Sequence, residues 1–114
     1  MAAPSCGDLV WIDFTPNAGH EQAGRRPALV LSPREYHQRT SFAVVCPITS
    51  TIKGYPFEVI LPAGLPISGA VLADQVKSID RHARRVEFAG KVPDSVVQEV
   101  QAELGLPSRL PPDG

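Results

Sequence analysis

Between residues 8 and 92 the chain alternates short apolar runs with polar breaks, and the runs are rich in β-branched and aromatic residues. "DLVWIDF" (8–14) predicts a first strand, ended by Pro16 and the turn residues Asn17-Ala18-Gly19. "PALVLS" (27–32) predicts a second, with Pro27 acceptable only at its start. "PREYHQRT" (33–40) is polar and reads as one helical turn or a loop, Pro33 taking a first-turn position. "SFAVVCPIT" (41–49) is apolar at both parities, which predicts a central strand covered on both faces. In "YPFEVIL" (55–61), Phe57, Val59 and Leu61 alternate with Glu58 and Ile60, the pattern of a strand with one more exposed face. "GAVLADQVKSID" (69–80) and "RRVEFAGKV" (84–92) supply a fifth and a sixth strand.

The period changes after residue 93. In "PDSVVQEVQAELGLP", Val97, Val100 and Leu104 recur at helical spacing. Ser95 with Gln98 reads as a capping box, Gly105 suits the position just past the helix, and Pro107 forbids continuation. Six short strands followed by one helix predict a mainly β fold, a small and partly open barrel with a C-terminal helix packed on it. Residues 1–106 read as one domain and 107–114 as an extended tail.

Composition narrows the function classes. With 43% hydrophobic and 20% charged residues in 114, this is an ordinary globular composition. The net charge of −1 lacks the global basic signature of many nucleic-acid binders. Its distribution is uneven: residues 1–85 hold nine Arg/Lys and seven Asp/Glu, and residues 86–114 hold two and five. A mildly basic body permits an anionic ligand. Cys6 and Cys46 lie beside apolar stretches without ligand spacing, so both read as small buried hydrophobes in a reducing compartment. No stretch approaches the ~20 apolar residues of a membrane span and no signal peptide opens the chain, so the expected location is cytoplasmic, away from membranes. No metal-ligand spacing occurs, and neither metal nor cofactor is expected.

Three stretches carry candidate chemistry. "TPNAGHEQAGRR" (15–26) is long for a hairpin connection, and long connections are often functional. Arg26 precedes Pro27, which drives its backbone to an extended conformation and sets its side chain at the strand mouth. A guanidinium held there binds two phosphate oxygens well. "PITSTIKGYPFE" (47–58) gathers hydroxyls, a cation, a glycine and an aromatic, as a contact surface for single-stranded nucleic acid does. "LADQVKS" (72–78) interrupts an apolar run with Asp74, Gln75 and Lys77. Read singly, each is more readily a set of solvated surface charges, an ordinary polar turn or an exposed strand face than a site. His37 and His82, with arginines nearby, read as surface residues.

Taken in order, "GDLVWIDF", "EQAGRRPALVLS", "CPITSTIKGYPFEV" and "GAVLADQVKSID" resemble the MazF/PemK family of toxins, over residues 7 to 104, and the MazF branch most. The resemblance implies a CcdB/MazF-type fold, an SH3-like barrel with a C-terminal helix, and a homodimer. It also implies a ribosome-independent, metal-independent endoribonuclease that cuts single-stranded RNA within a short sequence. The ends left would be a 2′,3′-cyclic phosphate and a 5′-hydroxyl. The implied partners are that RNA and a MazE-like antitoxin, with antitoxin-mediated binding of promoter DNA as a further implication. The gyrase-binding CcdB branch shares the fold and is the alternative; an inactive RNA- or antitoxin-binding module is a third reading.

Carried over residue by residue, the motif's arginine and threonine match Arg26 and Thr49, as catalytic groups. Its glutamate and glutamine match Glu21 and Gln22. Thr51, Lys53, Tyr55, Asp74, Gln75 and Lys77 match RNA-contacting or supporting positions, and Arg25, at an open position of the motif, is placed with them. Attack of a ribose 2′-hydroxyl on the adjacent phosphorus needs charge stabilisation and proton transfer. Arg26 suits the first, and can protonate the leaving oxygen; with a pKa above ~12 it is a poor base. The candidate bases are Glu21, Asp74 and His20, in that order.

Overall fold

The computed structural model describes residues 3–14 and 24–105. Seven strands build one antiparallel sheet: β1 (Asp8–Phe14), β2 (Gly24–Val30), β3 (Phe42–Thr49), β4 (Glu58–Ile60), β5 (Ala70–Leu72), β6 (Lys77–Asp80) and β7 (Val86–Lys91). Their spatial order is β4-β5-β3-β2-β1-β7, with β6 also paired to β3. A short helix α1 (Arg34–Arg39) joins β2 to β3, and α2 (Asp94–Glu103) follows β7. The expected mainly β fold with a C-terminal helix is present, as an open sheet with no closing pair between its ends among the described residues.

β3 is the organising strand. One edge pairs with β2, through Val45 to Pro47. The other edge is shared, Phe42 to Val45 pairing with β6 and Ile48–Thr49 with β5. Val45 lies opposite Lys77 and Ile48 opposite Val71, so three steps along β3 (48 − 45) correspond to six along the partner segment (77 − 71). A 3-10 turn at Ala73–Gln75 takes up the excess. The single strand expected over 69–80 is therefore two strands.

Alternation along the strands divides the core. Leu9, Leu29 and Cys46 are register partners and pack with Val71 and with Val96 and Val100 of α2. The neighbouring positions Val10, Ile12, Ala28 and Val45 form a second cluster with Ile79. Successive side chains on a strand point to opposite faces, so one strand feeds both clusters.

Several local expectations change. β2 begins at Gly24, so Pro27 lies inside the strand. Its ladder to β3 begins only at Ala28, and Pro27 therefore owes no donor to β3. Pro33 is the N-cap of α1 rather than a first-turn residue. The capping box is absent: Pro93 is the N-cap of α2, with no side-chain cap, and Ser95 falls within the first turn. The helix does present Val96 and Val100 as its buried positions, with Val97 and Leu104 partly buried beside them. It ends as expected, Gly105 having φ +76° and donating to the Ala102 carbonyl at 3.0 Å.

One surface assignment is reversed and one burial assignment is divided. His37 is completely buried, with its ring nitrogens 2.6 Å from Ser32 Oγ and 2.6 Å from the Pro4 carbonyl oxygen. Cys46 is buried as expected, and desolvation, then the Asp74 charge, pushes its thiol up to about 11. Cys6 is exposed, although partial desolvation and the nearby Asp8 still raise its pKa.

Candidate functional site

The two adjacent arginines of β2 part company because a strand sends neighbours to opposite faces. Arg25 shares a face with Trp11: its guanidinium carbon sits 5.3 Å from the indole centroid, and its Nη2 pairs with Glu87 of β7. Arg26 is the register partner of Ile12, on the other face.

The β2–β3 ladder stops at the Ala28–Pro47 pair. Counting two residues further places Arg26 across from Thr49, and there a groove of about 790 Å³ opens between the strands. Arg26, Thr49, Thr51, Gln75 and Lys77, five of the expected site residues, all line it. They come from three separate stretches of sequence. The 3-10 turn places Gln75 at the groove and β6 adds Lys77.

Thr49 is held by its own turn. Its Oγ1 accepts the Thr51 N–H at 3.1 Å and donates to the Thr51 carbonyl over a longer 3.4 Å. Its backbone is fixed from the opposite side by Gly69, which has φ +127° and lies so close that a Cβ there would collide with the Thr49 carbonyl oxygen. Gly69→Ala is expected to destabilise the fold by about 2–4 kcal/mol, through left-handed strain and overlap together. Urea unfolding checks this; a variant as stable as the parent would show that the approach to Thr49 is not needed.

Other expected residues fall elsewhere. Lys53 and Tyr55 occupy an exposed turn beyond Thr51 and are not groove-lining, Tyr55 stacking on Phe57 with centroids 5.2 Å apart. Asp74 is exposed and off the groove wall, and its charge bears on the Cys46 thiol. Arg25 is engaged with Trp11 and Glu87 instead of facing the groove. Glu21, Gln22 and His20 lie outside the described residues. The ends of their loop are held together by the Phe14–Gly24 pair, two residues before Arg26.

Sequence reasoning missed Trp11 and the stretch Pro66 to Ser68 as groove walls, and Glu58, which ties down the Lys53–Gly54 backbone. Trp11 stood in the sequence as the aromatic in the middle of the first strand, beside Ile12. Nothing marked Ser68. Among the described groove-lining residues there is no carboxylate and no imidazole. That wall can bind an anion and stabilise negative charge.

Comparison with known proteins bears on the family and the fold. The family model for the PemK-like, MazF-like toxin of type II toxin–antitoxin systems matches residues 5–106. The chain is 47% identical over 103 residues to the endoribonuclease toxin MazF of Escherichia coli K12, covering 90% of this chain and 92% of that protein. It is 38% identical over 104 residues to the endoribonuclease toxin ChpB of the same organism, covering 86% and 88%. Among solved structures, a MazE–MazF complex from Deinococcus radiodurans contains a chain 54% identical with a TM-score of 0.86, covering 92% of this chain and 95% of that one. The gyrase-binding alternative is not supported by these relatives. The chain belongs to the PemK-like, MazF-like toxin family of type II toxin–antitoxin systems.

Proposed function

We propose that this chain is an endoribonuclease toxin that cuts single-stranded RNA within a short sequence, and that the groove between β2 and β3 is where it does so. The observation that supports the reading is that Arg26 and Thr49 line one groove together with Thr51, Gln75 and Lys77. The endoribonuclease names of the relatives support the same class of reaction.

In the proposed reaction the ribose 2′-oxygen bonds to phosphorus, its proton passing to a base, while the bond from phosphorus to the 5′-oxygen breaks and Arg26 gives that oxygen a proton. The products are a 2′,3′-cyclic phosphate and a 5′-hydroxyl. Arg26 stabilises the charge that builds on the phosphorane oxygens. The Thr49 hydroxyl gives up its long 3.4 Å contact to the Thr51 carbonyl and donates to a non-bridging oxygen, while still accepting the Thr51 N–H. With no base on the described wall, Glu21 takes that role from the loop that springs from Phe14 and Gly24, ahead of Asp74, which lies off the wall. Charge stabilisation by a guanidinium leaves no step that needs a metal. The active form is a homodimer, and a MazE-like antitoxin occupies the groove when the toxin is neutralised.

Incubating the protein with a long single-stranded RNA in excess EDTA tests this. Cleavage at a recurring short sequence, with 5′-hydroxyl ends, is expected. RNA left intact with or without added divalent metal would refute the enzyme reading, and cleavage only with metal would refute the metal-free mechanism.

A further inference from the structure

A carboxylate sits at an awkward place for an RNA-binding surface. Glu58 opens β4, just after the exposed turn that carries Lys53, Gly54 and Tyr55. A free acid here would repel the phosphate chain. The structure disposes of it differently: Glu58 Oε1 accepts the Gly54 N–H at 2.8 Å and the Lys53 N–H at 3.1 Å, and Oε2 lies 3.3 Å from the same Lys53 nitrogen. Two consecutive backbone donors converge on one carboxylate, as they do on a bound anion in a nest. The same turn is closed by the Glu58 N–H donating to the Tyr55 carbonyl at 3.1 Å, and Gly54 takes φ +84° within it.

We infer that Glu58 is a positioning residue for RNA recognition, fixing the 53–55 turn so that the Lys53 ammonium and the Tyr55 ring are presented in one arrangement. The inference rests on the RNA-cutting function proposed above. Without the carboxylate the exposed 50–56 turn keeps the Glu58–Tyr55 backbone bond and the Tyr55–Phe57 stack, but the Lys53 and Gly54 N–H groups lose the acceptor that orders them. The Tyr55 ring, half exposed and stacked on Phe57, offers its outer face to a base. Lys53 supplies a phosphate contact. Neither lines the groove that holds Arg26 and Thr49, so the turn selects and holds substrate beside the chemistry. The acid is spent on the protein's own backbone and does not meet the RNA.

The test compares Glu58→Ala with Glu58→Gln. A glutamine oxygen can accept both N–H groups, as Oε1 already does, so the amide keeps the clamp and removes the charge. Glu58→Ala is expected to raise KM for an RNA carrying the mapped cleavage site about tenfold, the scale of losing charge-assisted hydrogen bonds. Its kcat should stay within about twofold, because no group at the reacting phosphate moves. Glu58→Gln should restore KM. In the free proteins, amide exchange at Lys53 and Gly54 should accelerate in the alanine variant alone. Lys53→Ala combined with Glu58→Ala should cost less than the sum of the two, since the clamp acts through Lys53. An unchanged KM in Glu58→Ala, or a glutamine variant as impaired as the alanine one, overturns the inference and leaves the nuclease reading standing. A parent protein that cuts no RNA overturns both.

Discussion

Arg26→Ala is expected to lose RNA cleavage by a factor of about 10²–10³ while the fold stays intact, because a charge contact made in the transition state is removed. The side chain sits at an exposed strand position, where truncation changes stability by only about 0.5 kcal/mol. Its backbone remains paired to β1 through Ile12. The neighbouring arginine is an internal control. Arg25 has the same charge one residue away but points to Trp11 and Glu87, so Arg25→Ala should slow cleavage far less. Arg26→Lys should fall between parent and alanine, keeping the charge and losing the planar fork that spans two oxygens. Initial rates on a single-site fluorogenic RNA, together with thermal unfolding of each variant, separate chemistry from folding. Cleavage by Arg26→Ala within threefold of the parent would remove this residue from the mechanism.

Local periodicity made the strands and α2 legible, since covered faces must be apolar at period two or at helical spacing. That β3 feeds both clusters could be read from its unbroken apolar run, although Phe42 at its start is exposed. Its change of partner between Val45 and Ile48 could not, because that depends on the register of two distant segments. The break at Asp74 and Gln75 was visible as polarity inside an apolar run, yet its meaning as a turn absorbing three residues was not. At the site, the Arg-Pro step predicted an extended backbone at Arg26, and that residue does lie in β2. Strand parity sends the two arginines opposite ways, but the groove takes in Arg26 together with Trp11 and Pro27 of the other parity because the β2–β3 ladder ends at Ala28–Pro47, which the sequence did not mark. Glu58 was read as the polar side of an alternating strand, and nothing local announced that its carboxylate would turn back onto Lys53 and Gly54. The capping box failed for a related reason: the pattern at Ser95 and Gln98 was present, but Pro93 started the helix two residues earlier than that pattern required.

His37 was the plainest misreading, and its burial makes its loss costly to stability. Its neighbours in sequence are polar, so no apolar periodicity marks it. In the fold it joins three segments. The Pro4 carbonyl can only accept, so Nδ1 carries the hydrogen, and Nε2 accepts from the Ser32 hydroxyl. The Ser32 oxygen in turn accepts the Val44 N–H at 2.8 Å. Every donor meets an acceptor, and the ring itself is wholly enclosed. The carbonyl of His37 also receives Arg81 Nη2 from the segment after β6, an interaction of the backbone that survives substitution. His37→Ala opens a cavity and leaves the Pro4 carbonyl and the Ser32 hydroxyl short of partners. The expected cost is about 3–5 kcal/mol. For a domain of this size that lowers the melting temperature by about 10–20 °C. His37→Asn, which can still donate to Pro4, should recover part of the loss. Ser32→Ala and His37→Ala together should cost less than their sum, because both remove the same hydrogen bond. Measured at a temperature where the variant remains folded, its KM for RNA should match the parent, since none of these atoms lines the groove. A His37→Ala protein that unfolds in urea within 1 kcal/mol of the parent would show that this lock contributes nothing.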